Sequence, residues 1–290
     1  MFEGFESGIV RRDGCDLFYR RRGQGPPVLL LHGFPQTHAM WANIAAKLMQ
    51  DYTVICADLR GYGASGKPNG VAQYSFREMG ADQLYLMATM GFEHFDLVGH
   101  DRGGRTAHRM ALDAPERIRS LTVMDIVPTH LLLDDLNKEV ARAYYHWFFL
   151  AQPSPFPENM ILADPDVFFQ NCLTGWGSTD LAHYAPEQLN AYGASWRNPD
   201  CVRGMCDDYR AAIDYDFGLD AEDFGRKLSL PSLVMWGADG AMAKAYDMAA
   251  VWNDRLSNHN TAAIRGGHFF PDTAPDQTYH VLKDFLCSFA

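Results

Sequence analysis

The segment Gly99-His100-Asp101-Arg102-Gly103 carries the chain's most distinctive chemistry. It lies between an apolar run, Phe95-Asp96-Leu97-Val98, with the composition of a buried parallel strand, and Thr106 to Leu112, which has helical spacing. Small residues two positions either side of a polar one, at a strand-to-helix corner, form a sharp turn that lifts the middle side chain clear of the backbone. The glycines remove Cβ atoms where strand and helix crowd each other and permit the strained backbone of the corner. Most such corners carry Ser; this one carries Asp101. Serine attacking a carbonyl gives an acyl ester, whereas a carboxylate attacking a saturated carbon gives an alkyl ester. At a helix N-terminus, unpaired N–H groups and the helix dipole favour negative charge, so Asp101 is expected to be ionised. The position also suits a helix-capping aspartate.

Arg102 and Arg105 fall at i and i+3 of the first helical turn, so both guanidinium groups can point to one side. Cations there oppose the dipole, a cost that asks for another explanation. Two guanidinium forks holding one small carboxylate supply one. Surface exposure, or pairing with Asp101, is the alternative.

The elements that must position these groups follow from periodicity. Gly8 to Arg21 alternates around an Asp13-Gly14 turn, predicting an antiparallel hairpin at a sheet edge. Val28–Leu31, Thr53–Ala57, Phe95–Val98, Leu121–Met124, Leu230–Trp236 and residues near 261–264 read as strands. Helices are predicted over Met40–Met49, Ser75–Met90 (Ser75 and Glu78 forming a capping box), from the corner to about Ala114, near 244–256, and from Pro275 to Phe289. This alternation predicts an α/β fold, a mostly parallel sheet with helices on both faces. From Pro128 to about Phe217 no strand is expected, and this stretch holds 15 of the 37 aromatic residues. It reads as helices interrupted by prolines, an inserted helical cap over the strand ends where ligands bind in such sheets. The predicted division is a core of residues 1–127 and 218–290 and a cap of 128–217.

Composition bounds the partners. The chain has 290 residues, 47% hydrophobic and 21% charged, as ordinary globular proteins do. A net charge of −11 argues against nucleic acid or an anionic membrane as partner. No apolar run reaches the ~20 residues of a membrane helix. No leader of basic then apolar residues is visible at the N-terminus, and the six scattered cysteines read as buried reduced thiols, so a cytoplasmic location is expected. No metal-ligand spacing or phosphate loop is present in the sequence, and no cofactor is expected.

Several motifs together identify a resemblance: His32-Gly33-Phe34-Pro35-Gln36, Arg60-Gly61-Tyr62-Gly63, the corner with its two arginines, Asp125-Ile126-Val127-Pro128-Thr129, His146-Trp147-Phe148-Phe149, Tyr209-Arg210-Ala211 and Gly266-Gly267-His268-Phe269. The chain resembles α/β-hydrolases with an Asp nucleophile and, among them, the haloacetate (fluoroacetate) dehalogenases. The corner alone fits many hydrolases; its combination with Arg102, Arg105, His146 and Trp147 is much narrower. The resemblance implies Asp101 as nucleophile, His268 as general base and an acid orienting that histidine. Asp125 matches the dehalogenase pattern, whereas Asp239 stands after the next strand, where many hydrolases carry their acid. Asp239 also suits a turn beside Gly240.

The resemblance further implies Arg102 and Arg105 as ligands of the substrate carboxylate. Oxyanion donors would be the backbone N–H groups of Phe34 and Arg102. His146, Trp147 and Tyr209 would be donors to a leaving halide, although aromatic packing of the cap explains Trp147 and Tyr209 equally well by residue type. Trp176 is a weaker pocket candidate. His32, Asp58 and Arg60 are expected to brace loops. The implied reaction removes halide from a short 2-haloacid such as haloacetate, giving the 2-hydroxy acid, and the implied partner is that small anion. Relatives are often homodimers, so a homodimer is a further expectation. An epoxide hydrolase shares the Asp–His–acid set and is the principal alternative; it needs no arginine pair. A non-catalytic binding protein on the same scaffold would turn over nothing.

Overall fold

The computed structural model describes residues 1–176 and 180–288. Its sheet has eight strands: β1 (Glu6–Arg12), β2 (Cys15–Arg22), β3 (Pro27–Leu31), β4 (Thr53–Ala57), β5 (Phe95–His100), β6 (Ile118–Met124), β7 (Ser232–Gly237) and β8 (His259–Ile264), in the order β1-β2-β4-β3-β5-β6-β7-β8. The hairpin β1–β2 joins β4 antiparallel, and every other pairing is parallel. Burial explains the difference. All of β4 and β5 is buried, as strands covered on both faces require, whereas β1 alternates exposed and half-buried residues at the edge.

The core helices before the last strands are α1 (Ala42–Leu48), α2 (Phe76–Thr89) and α3 (Arg102–Asp113). Between β6 and β7 run α4 (Thr129–Asp134), α5 (Lys138–Ala143), α6 (Tyr145–Leu150), α7 (Phe156–Ala163), α8 (Pro165–Gly175), α9 (Pro186–Trp196), α10 (Pro199–Ala211) and α11 (Phe217–Glu222), with a π-helical turn at Ala212–Asp216. The described part of this stretch contains no strand. The core resumes with α12 (Ala241–Ala245), α13 (Phe270–Thr273) and α14 (Pro275–Cys287).

Three expectations need correction. The predicted helix near 244–256 is only α12, because Tyr246 turns extended and the Asp247 carboxylate caps Ala249 and Ala250 into successive turns. The capping box of α2 is half formed: Ser75 accepts from the Glu78 N–H, while the Glu78 carboxylate pairs with Arg12 on β1 instead. Cys287 is exposed, unlike the other five cysteines. Phe289 lies outside the described residues.

β5 ends at His100, Asp101 takes φ 48° and ψ −117°, and α3 starts at Arg102. The corner is as tight as chain packing allows. A Cβ on Gly99 would sit 2.2 Å from the Gly103 carbonyl oxygen, and one on Gly103 would sit 2.4 Å from that of His32. Both obstacles are backbone and cannot swing aside. Gly103→Ala is therefore expected to destabilise the protein by about 3 kcal/mol, the upper end for overpacking. Urea denaturation would read this as a lower midpoint, and an unchanged midpoint would contradict the close approach.

Candidate active site

Asp101 is buried at the corner, and no capping hydrogen bond ties it to α3, which removes the capping reading. Its Oδ1 accepts from the Phe34 N–H at 2.8 Å, and its Oδ2 lies 3.9 Å from His268 Nε2. Burial would raise the carboxyl pKa, but His268, then His100 and Arg102, and the Phe34 N–H hold it down at about 2. Asp101 is thus an ionised carboxylate with one oxygen held by the backbone. Of the two expected oxyanion donors, Phe34 is engaged. The Arg102 N–H makes no hydrogen bond to this carboxylate in the structure.

His268 follows β8 in the loop Arg265-Gly266-Gly267, and its N–H donates to the Trp176 carbonyl at 3.0 Å. Its Nδ1 meets Asp125 Oδ2 at 2.6 Å, while Asp125 Oδ1 accepts from the Gly237 N–H at 2.9 Å. Asp125 ends β6 with φ 51°, a turn that brings its carboxylate round to the histidine. The alternative acid, Asp239, is exposed and accepts from the Gly266 N–H at 3.3 Å in a turn, not from His268. Burial alone would lower the His268 pKa; the hydrogen bond and charge of Asp125, with the charge of Asp101, raise it above its ordinary value. With Nδ1 committed to Asp125, Nε2 is the atom turned to Asp101.

The two arginines differ more than their spacing suggests. Arg102 is fully buried and bonds Asp208 of α10, through Nε at 2.9 Å and through Nη2 to both the carboxylate and the backbone carbonyl. Tyr62 donates to the same carboxylate at 2.6 Å. Burial would lower the Arg102 pKa, but Asp208 outweighs it and raises it. The guanidinium also stacks on Tyr209, Phe76 and Trp147. Asp208 thus meets the charge of Arg102 and occupies Nε and Nη2, while Nη1 remains buried without a partner.

Arg105 is the opposite case. Its Nη1 donates to the Val127 carbonyl and the Thr129 hydroxyl, both at 3.0 Å, and no carboxylate among the described residues lies within 4.0 Å. Burial and then the like charge of Arg102 push its pKa down to about 10. At neutral pH it is a buried, positively charged group without a counter-ion. Such a site is costly unless an anion joins it.

Above the corner, Phe34 is surrounded by His146, Tyr209 and Trp176, with ring centroids 5.8, 5.2 and 6.4 Å away. Trp147 packs edge-on to Tyr209 at 5.2 Å. Tyr209 Oη and His146 Nδ1 are buried without partners. Burial lowers the His146 pKa to about 3, so it is a neutral imidazole, and burial raises that of Tyr209, keeping its proton. The aromatic packing and the set of unspent polar groups are one cluster. Trp176 lies edge-on to His268 at 5.6 Å and near His146 at 4.2 Å, a more central place than its sequence context suggests. Gly177 and its two successors lie outside the described residues.

Three participants carried no sequence signal of their own. Asp208 pairs with Arg102 across 106 positions, and Thr129 holds Arg105. Tyr144 is buried where the charges of Asp125, Asp101 and Arg105 reach it, after burial itself, and its pKa is raised. The bracing residues do as expected. His32 Nε2 accepts from the Leu59 N–H, Asp58 accepts from His38 and Ala64, and Arg60 pairs with Asp82. Among the described residues no group of three acidic, histidine or cysteine side chains is placed to hold a metal ion, and no helix is long and apolar enough to cross a membrane.

A profile of the α/β hydrolase fold matches residues 26–275. The chain belongs to the α/β hydrolase fold family. It is 52% identical over 289 residues to a fluoroacetate dehalogenase of Burkholderia sp, covering 99% of this chain and 95% of that one. It is 28% identical over 273 residues to a soluble epoxide hydrolase of Corynebacterium sp. (strain C12), covering 91% of each. The crystal structure of ALR0039 from Nostoc sp PCC 7120 superposes with TM-score 0.96 at 42% identity over 99% of both chains.

The Asp125–His268 geometry has a direct spectroscopic consequence. By NMR titration, His268 is expected to titrate above its ordinary value in the wild type. Asp125→Asn removes the two largest influences that raise its pKa, leaves only the charge of Asp101 against burial, and moves the titration to lower pH. An unmoved titration would mean that another group sets the basicity of His268.

Proposed function

We propose that this protein is a hydrolytic dehalogenase of short 2-haloacids such as haloacetate. The observation that carries the reading is Arg105, a buried guanidinium with no carboxylate partner, in the turn that follows an ionised Asp101. A small substrate carboxylate satisfies that charge and brings its α-carbon to the neighbouring nucleophile. The 52% identity to a fluoroacetate dehalogenase supports the same substrate class.

In this reading the free Asp101 Oδ2 attacks the carbon bearing halogen, in line with the breaking carbon–halogen bond. Halide leaves with the bonding electrons, and an alkyl ester forms on Asp101. The leaving ion is met by the N–H and O–H groups of His146, Trp147 and Tyr209, which replace water in a closed pocket. Oδ1, held by the Phe34 N–H, becomes the ester carbonyl oxygen. His268 Nε2 then takes a proton from water, and the hydroxide attacks the ester carbon. Negative charge builds on Oδ1; the bond from the ester carbon to the substrate oxygen then breaks, the leaving alkoxide takes the proton of the added hydroxyl, and the 2-hydroxy acid departs as Asp101 regains its carboxylate. The proton returns to solvent from His268, whose imidazolium Asp125 stabilises meanwhile. The helical stretch between β6 and β7 acts as a cap, because α6 and α10 supply the groups above the corner.

The epoxide hydrolase alternative shares Asp101, His268 and Asp125, and Tyr144 and Tyr209 are buried tyrosines that could protonate an alkoxide. It leaves Arg105 without a purpose. Chloroacetate and styrene oxide separate the two: chloride release and glycolate are expected from the first and no diol from the second. Diol formation without halide release would overturn the assignment.

Arg105→Leu is expected to lower kcat/KM for chloroacetate by roughly 10²-fold or more, since losing one member of a buried charge pair costs about 2–5 kcal/mol. Retained activity would remove the carboxylate contact from the scheme.

A further inference from the structure

Arg105 also lines a small cavity of about 20 Å³, together with Phe76, His108, Arg109, Leu112, Thr129, Asp216, Leu219 and Asp220. Four buried polar atoms without a partner belong to residues of this one lining: Arg105 Nε, Arg109 Nε, His108 Nε2 and Asp216 Oδ2. Each of these residues is more than nine-tenths buried. An arginine Nε carries a hydrogen and can only donate. Two donor-only atoms at one chamber require an acceptor that the protein does not supply.

The charges around the chamber decide what kind of acceptor. Arg109 is neutralised by Asp223 at 2.5 Å and Asp113 at 2.6 Å. Asp220 accepts from the His130 N–H at 2.7 Å and faces Arg255 at 3.6 Å. His108 is neutral, its pKa lowered to about 4 by burial. Asp216 takes one bond, from the Phe76 N–H at 2.9 Å. Burial raises its pKa to about 8 against the opposing pull of that bond, Arg102 and Arg109 and with the added push of Asp208. At neutral pH Asp216 is a protonated acid, and Arg105 contributes a positive charge that no carboxylate contacts, Asp220 acting on it only from a distance. A water molecule can accept from two donors but leaves that charge unmet, whereas a monatomic anion accepts from both and meets it.

We propose that this chamber is an interior halide site, separate from the leaving-group pocket of His146, Trp147 and Tyr209. Arg105 stands between the two regions, sensed electrostatically by Asp101 on one side and lining the chamber on the other. If the haloacid reading holds, the ion that the reaction releases is of the class the chamber accepts, and its occupancy lowers the charge that Arg105 offers to the next substrate carboxylate. Halide then acts as a product inhibitor that need not occupy the reacting position. Asp216 limits the effect: above a pH of about 8 it ionises, adds a negative charge to the lining, and the anion is expelled.

Wild-type crystals grown without halide and soaked in sodium bromide below pH 7 test this by anomalous scattering at the bromine edge. A peak is expected among Arg105, His108, Arg109 and Asp216, and it should vanish from crystals soaked well above pH 8. No peak in the chamber, with or without one beside His146, overturns the inference. In solution, bromide should raise the Tm of the wild type more than that of Leu219→Phe, which fills the chamber without removing a donor. Equal rises in the two folded proteins would also count against it. The outcomes separate from those of the haloacid reading. A chamber peak in a protein that releases no chloride from chloroacetate defeats only the reading. An active dehalogenase with a bromide-free chamber defeats only the inference.

Discussion

One buried carboxylate must remain ionised at a strained corner, and most of the local architecture answers to that requirement. Removing Asp101 from water favours its neutral form, so the fold surrounds it with compensation: the Phe34 N–H at 2.8 Å, His268 at 3.9 Å and the guanidinium of Arg102. The glycines that let β5 and α3 meet are the backbone cost of pointing the side chain outward. The same corner sets Arg105 in the next turn, where the Asp101 carbonyl accepts its N–H at 3.0 Å.

The two arginines show how equal residue types acquire different tasks. Arg102 is spent on Asp208, and through that pair α3 of the core is fastened to α10, which carries Tyr209 in the adjacent position. Buried ion pairs of this kind add little net stability against an apolar packing, but breaking one is costly. Its consequence at this corner is positional: the polar groups of α10 are held over Asp101. Arg105, without such a partner, keeps its charge for an anion. In the proposed reaction this charge asymmetry makes Arg105 the principal countercharge for a small carboxylate, with Arg102 Nη1 still unpartnered beside it.

Much of this was legible in the sequence for identifiable physical reasons. The short runs at Val28–Leu31, Thr53–Ala57 and Leu121–Met124, apolar but for Thr53 and Thr122, admit little besides buried parallel strands, and the Gly-x-Asp-x-Gly corner fixes its own backbone. The His268 loop was marked by its glycines. The choice of Asp125 over Asp239 was legible too, and its turn, φ 51°, brings it to the histidine. What was missed shares a cause. The pairing of Arg102 with Asp208, the reach of Thr129 to Arg105 and the orphaned atoms behind it depend on contacts between distant segments, where periodicity is silent. The helix expected near 244–256 failed for a local reason, since Asp247 found backbone donors that compete with the helical ladder.

In the proposed reaction, esterification of Asp101 is the step from which the rest of the chemistry follows, and oxygen tracing tests it most directly. A single turnover of chloroacetate in H₂¹⁸O, with enzyme in excess, should place the label in the peptide containing Asp101 and leave the glycolate unlabelled. Labelled glycolate with an unlabelled Asp101 peptide would show that water attacks the substrate directly and that Asp101 is not the nucleophile.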